Sequence, residues 1–156
     1  MRIGTLFLIV FGCATLVGCS SRVFVKPIFN PFARTVPCTT RDCSLPVTVS
    51  ENASTKTCDL DVAEYLNVQG GPSGQRSLTW TIGTDGYQFS RESYKYGIFI
   101  KTDPGDEFKN VQISGNGKSL SIQFNHQRTG IDYGYALTVR RTDGSFCNTL
   151  DPWLIS

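Results

Sequence analysis

The chain predicts an all-β fold: an antiparallel Greek-key β-sandwich of about seven or eight strands. Three observations predict it. From Cys58 onward, apolar residues recur at every second position, which is the period of a half-buried strand. Asp85-Gly86, Asn116-Gly117 and Asp143-Gly144 fall between such runs, and each dipeptide tolerates the positive φ of a tight turn. No sustained helical period competes with them.

In chain order, the first element is an address. Arg2 precedes an apolar core, Leu6-Phe7-Leu8-Ile9-Val10-Phe11, and a small-residue exit leads to Cys19, the three regions of a secretory signal. As an uncleaved membrane helix, residues 3 to 18 fall short of the roughly 20 apolar residues a bilayer needs. Gly4, Gly12, Thr15 and Gly18 dilute the run further. An ordinary secretory signal and a retained anchor are the alternatives. The stretch Leu16-Val17-Gly18-Cys19 resembles the lipobox of bacterial lipoproteins. That resemblance implies cleavage before Cys19, lipid on Cys19, and attachment of the chain to a membrane through its N-terminal lipid. In the lipoproteins that the chain resembles, a serine directly after the cysteine, as Ser20 is here, implies sorting to the periplasmic face of an outer membrane. The expected organisation is a signal over 1–18, a tether over 19–57 and a sandwich over 58–156.

Charge says little about a partner. The full chain carries 15 Lys and Arg against 13 Asp and Glu, and only Arg2 is lost with the signal. So small a net charge gives no field that argues for nucleic acid or anionic lipid. Of the 6 cysteines, Cys13 leaves with the signal and Cys19 is claimed by lipid. Cys38, Cys43, Cys58 and Cys147 remain, an even set for an oxidising compartment. We expect Cys38 with Cys43, which are close in sequence, and Cys58 with Cys147, which would join the opening and closing strands. A zinc site built from all four is the alternative, although the set has no second close pair.

Between Ser20 and Thr57 the chain holds Pro27, Pro31, Pro37 and Pro46 among Ser, Thr and Asn, a composition that interrupts regular elements. This reads as a tether with a span on the order of 35 Å. Val23-Phe24-Val25 and Ile28-Phe29 are more apolar than a plain linker, and Leu45-Pro46-Val47-Thr48-Val49 alternates as a short edge strand does. Part of the segment is therefore expected to pack on the domain; a docking peptide for another envelope protein is the alternative. Asp59 to Asn67 fits either a helix capped by Asp61 or a bulged strand, and the strand agrees with its surroundings. Gly70-Gly71-Pro72 then turns the chain. Leu78, Trp80 and Ile82 begin the regular strands, followed by Tyr96–Ile100, Phe108–Ile113, Leu120–Phe124 and Tyr133–Val139.

Asp132-Tyr133-Gly134-Tyr135 resembles the tyrosine corner of immunoglobulin-like domains, without the cysteine that follows the tyrosine there. The Trp80 strand, the Tyr133–Val139 strand and Asp151-Pro152-Trp153-Leu154-Ile155 resemble small cupredoxin-like domains. Those domains hold copper with two histidines, a cysteine and a methionine. Here His126 is the sole histidine and Met1 the sole methionine, so a blue-copper site is excluded and no cofactor is expected.

No nucleophile elbow, zincin helix, phosphate loop or dinucleotide fingerprint occurs. His126, just past a strand end, is read as a solvated loop residue; a triad assembled through the fold is the alternative. Asp59, Asp61 and Glu64, and Asp103, Asp106 and Glu107, are oxygen-rich enough for weak calcium binding, though Asp103-Pro104-Gly105-Asp106 is also ordinary turn chemistry. Tyr133 and Tyr135 share a strand face with Leu137 and Val139 and belong in the core. Tyr94, Phe99 and Phe146 are the aromatics expected to be left outside as a binding surface. The sequence thus points to a non-catalytic binding or structural role in an envelope assembly, with an envelope protein as partner. The rivals are an inhibitor or immunity protein against a cell-wall hydrolase and a small hydrolase using His126.

Overall fold

The computed structural model describes residues 34–69, 71–93, 96–148, 150 and 152–155. The signal, Cys19 and the tether up to residue 33 lie outside the described residues, as does Tyr94. The fold is all-β and sandwich-like.

One five-stranded sheet contains β1 (Thr35–Pro37), β4 (Tyr65–Asn67), β12 (Trp153–Ile155), β10 (Asp132–Leu137) and β7 (Ile98–Ile100), in that order across the sheet. The other contains β3 (Cys58–Asp61), β2 (Asp42–Glu51), β5 (Gly74–Ile82), β9 (Ser119–His126) and β8 (Phe108–Ile113). A ribbon of β6 (Tyr87–Phe89) and β11 (Val139–Arg141) completes the set. The core lies between the sheets. Leu45, Val47, Leu78, Trp80, Leu120, Ile122 and Phe124 come from one side, and Leu66, Tyr133, Tyr135, Leu137 and Leu154 from the other, all fully or almost fully buried. Trp80 and Tyr135 meet across the gap with ring centroids 5.3 Å apart, a tilted arrangement that suits aromatic quadrupoles.

Alternation explains most of these strands. Along β9, Leu120, Ile122 and Phe124 are buried while the residues between them are half exposed. The β8–β9 hairpin closes through Gly117 at φ 73°, whose N–H donates to the Ser114 carbonyl at 2.8 Å, as Asn116-Gly117 predicts.

Four expectations need correction. The sheets are mixed rather than antiparallel, because β1 and β12 run parallel to β4 and β2 runs parallel to β5. There are 12 described strands rather than seven or eight, since the Tyr133–Val139 run divides into β10 and β11 and the Asp59–Asn67 segment into β3 and β4. The part of the expected tether that packs on the domain is larger than a short edge strand at Leu45–Val49: β2 is a 10-residue strand that lies between β3 and β5. Asp85-Gly86 does not close a hairpin, because β5 pairs with β2 and β9 whereas β6 pairs with β11.

Pro46 is accommodated in β2 by the hydrogen-bond phase of a parallel pair. Ser77 N–H donates to the Arg41 carbonyl and Gly83 N–H to the Val47 carbonyl. Odd-numbered residues of β2 therefore face β5, and Pro46, which lacks an N–H, faces away. β2 pairs with β3 only from Thr48 onward, so no ladder bond is missing at Pro46.

Both expected disulfides are present. Cys38–Cys43 has a Cα separation of 5.7 Å, and Cys58–Cys147 one of 4.7 Å. Cys58 opens β3, while Cys147 follows β11.

Candidate functional site

The densest group of buried polar side chains lies at one end of the sandwich, where β5 and β8 begin and β9 ends. Strand period puts them there. Arg76 continues the core face of Leu78, Trp80 and Ile82, and His126 continues that of Leu120, Ile122 and Phe124. Arg76 is 1 % exposed and His126 6 %. His126 is therefore the last residue of a strand and buried, not a solvated loop residue.

A buried guanidinium needs acceptors. Arg76 Nε donates to the Pro72 carbonyl at 2.8 Å and Nη1 to the Cys38 carbonyl at 3.1 Å. Nη2 lies 3.2 Å from His126 Nδ1. Arginine can only donate, so Nδ1 is the acceptor and the proton of the neutral ring resides on Nε2. Gly71 covers the guanidinium: a Cβ at that position would fall 2.5 Å from Nη2. Burial first, and the Arg76 charge second, hold His126 below the ordinary histidine range; Glu107 and the Arg128 carbonyl act in the opposite direction.

Beside this pair stands a second buried acid–base group. Glu107, 3 % exposed, accepts a hydrogen bond from the Tyr133 hydroxyl through Oε2. Arg128 Nε approaches the other oxygen at 3.9 Å from a half-exposed position. Burial, then the hydrogen bond to Glu107, push the Tyr133 hydroxyl well above the usual phenol range. Phe108, Phe124 and Tyr133 form the apolar floor, with Phe108 stacked on Phe124 at 4.7 Å and both edge-on to Tyr133. The His126 ring stacks on Phe124 at 5.6 Å. Next to His126 a 390 Å³ cleft opens, lined also by Gln69, Gly71, Ser73, Gln127, Thr129 and Gly130.

This geometry differs from that of a hydrolytic triad. A triad histidine donates Nδ1–H to a carboxylate, whereas Nδ1 of His126 faces a cation. A neutral imidazole held that way is oriented for packing and for fixing Arg76.

The other expected site residues are dispersed. Phe99 is 65 % exposed on the edge strand β7. Phe146 is half-buried and bridges to Arg140 of β11, in a different sheet. Most of these carboxylates have protein partners, while Glu64 is exposed: Asp103 accepts from the backbone N–H groups of Glu107 and Phe108, Asp106 pairs with Lys109 at 3.2 Å, and Asp59 accepts from Asn148. Asp61 pairs with Arg34. Among the described residues no group of three or more His, Cys, Asp or Glu is placed to hold a metal ion.

Sequence reasoning missed Arg76 and the burial of His126. The signal was present: in each strand the apolar alternation continues by one more step onto a polar residue. No family model, no curated protein and no solved structure matches the chain.

Proposed function

We propose that this is a lipid-anchored cell-envelope protein, held by acylated Cys19 on the periplasmic face of an outer membrane. Its sandwich serves a non-catalytic binding or structural role in an envelope assembly. The observation that carries this reading is the pair of disulfides inside the folded unit, Cys38–Cys43 and Cys58–Cys147, which fits an oxidising compartment. The lipobox-like Leu16-Val17-Gly18-Cys19 supports the anchor. A non-catalytic role is supported by the inward-facing polar cluster, in which Arg76 meets His126 and Tyr133 donates to Glu107, an arrangement unlike a hydrolytic triad.

The test is intact and tryptic mass spectrometry of the protein from its native membrane. We expect a mature chain that begins at acylated Cys19, and a Cys19→Ala variant that no longer fractionates with membranes. A native chain that starts elsewhere and carries no lipid contradicts the proposal.

A further inference from the structure

We propose that Arg76 and His126 form an acid-released latch, which fastens the segment of Gly71, Pro72 and Ser73 and the Cys38–Cys43 turn to the end of β9 while His126 is neutral and releases them when it takes a proton. Three connections meet at the Arg76 guanidinium: the Pro72 carbonyl from the loop, the Cys38 carbonyl from the turn, and His126 Nδ1 from β9. All three are made by one buried side chain. The histidine connection exists only while Nδ1 has a free lone pair. A proton on Nδ1 removes that acceptor and sets two buried cations in contact, which the low dielectric of the site penalises strongly.

The groups around His126 do not cancel this effect. Glu107, at the start of β8, attracts a proton on the ring, but its carboxylate already accepts from Tyr133 of β10 and is approached by Arg128. Arg128 itself adds positive charge at the end of β9. The described residues of the loop, Gln69, Gly71, Pro72 and Ser73, carry no charge. Arg41 and Asp42, by the turn, are exposed. Protonation is therefore favoured in the opened form, where the ring meets water. Opening exposes the wall of the 390 Å³ cleft that Gly71, Ser73 and His126 share, so acid makes this end of the sandwich pliable while the rest of the fold stays closed.

The test is hydrogen exchange in the disulfide-bonded protein, corrected for the intrinsic pH dependence of exchange. The reporters are the Cys38 amide, bonded to the Asn67 carbonyl, and the Gly71 amide, bonded to the Val68 carbonyl. By linkage their protection should fall by up to about tenfold per pH unit below about pH 6.5, and stay level above about pH 7. His126→Asn keeps an acceptor oxygen for Arg76 but takes no proton, and should abolish the fall. Constant protection in the wild type, or the same fall in His126→Asn, overturns the latch. Should that variant not fold, ring-nitrogen NMR of the wild type decides, because His126 is the only histidine. A proton on Nε2 at neutral pH and loss of protection in step with ring titration are expected; a proton on Nδ1, or titration that leaves protection unchanged, overturns the proposal.

Discussion

The two ends of the sandwich are built from the same parts in different surroundings. Each has a disulfide and a trio of tyrosine, glutamate and arginine. At the His126 end the trio is Tyr133, Glu107 and Arg128, with the first two buried, and the disulfide closes a separation of 5 residues. At the opposite end, Tyr87 donates to Glu51, which Arg141 approaches at 3.2 Å, and the Glu51 side chain is 59 % exposed. There the Cys58–Cys147 disulfide spans 89 residues, and Cys58 is aligned with Glu51. One end is held by a long covalent closure beneath a solvated ion network. The other is held by a short closure and a largely buried polar network. Identical groups contribute little when water competes for them and much when it does not.

Variants can break this contrast, beginning with the largest effect. Replacing Cys58 and Cys147 together with Ser should lower unfolding stability by about 4 to 5 kcal/mol in the chain-entropy model. Denaturant titration checks it, and a loss near that of the short disulfide would remove the covalent half of the comparison. Tyr133→Phe strips the buried Glu107 carboxylate of its hydroxyl donor and should lower stability by about 2 to 3 kcal/mol. Opening the short closure with Cys38→Ser and Cys43→Ser together should lower it by about 2 kcal/mol, because a small loop confines the unfolded chain less. Glu51→Gln, in the solvated trio, should leave the thermal midpoint close to wild type, and a shift matching that of Tyr133→Phe would show that burial is not what separates the ends.

Much of the fold was legible because period-two alternation is a local signal. Leu78-Trp80-Ile82 and Leu120-Ile122-Phe124 declared their strands, Asn116-Gly117 declared its hairpin, and the pairing of four cysteines followed from spacing. Partner choice was not legible. β2 aligns with β5 in parallel, an arrangement set by contacts far apart in sequence, and Pro46 suggested a short edge strand where β2 runs for 10 residues between β3 and β5. The site was hidden for another reason. Arg76 and His126 look like surface residues when each is considered alone; together, across β5 and β9, each supplies what lets the other stay buried.

pH separates the two ends without mutation. Burial and Arg76 lower the His126 pKa in the folded state. The unfolded chain, with its histidine near 6.5, therefore binds more protons just below that pH, and the stability His126 allows is lost as pH falls. Glu51 at the other end also has a lowered pKa, chiefly through Tyr87 and then Arg141. Its contribution is lost only as pH falls below the carboxylate range. The window between about pH 5 and 6.5 thus isolates His126.

The most direct test of the account is the free energy of unfolding of the wild-type protein, measured by denaturant titration at intervals from about pH 5 to 8. A His126 held neutral by Arg76 gives a plateau above about pH 7 and a decline below about pH 6.5, with a slope of up to about 1.4 kcal/mol per pH unit. Stability that is level across the window, or that rises toward acid, would contradict a neutral His126 held in the core by Arg76.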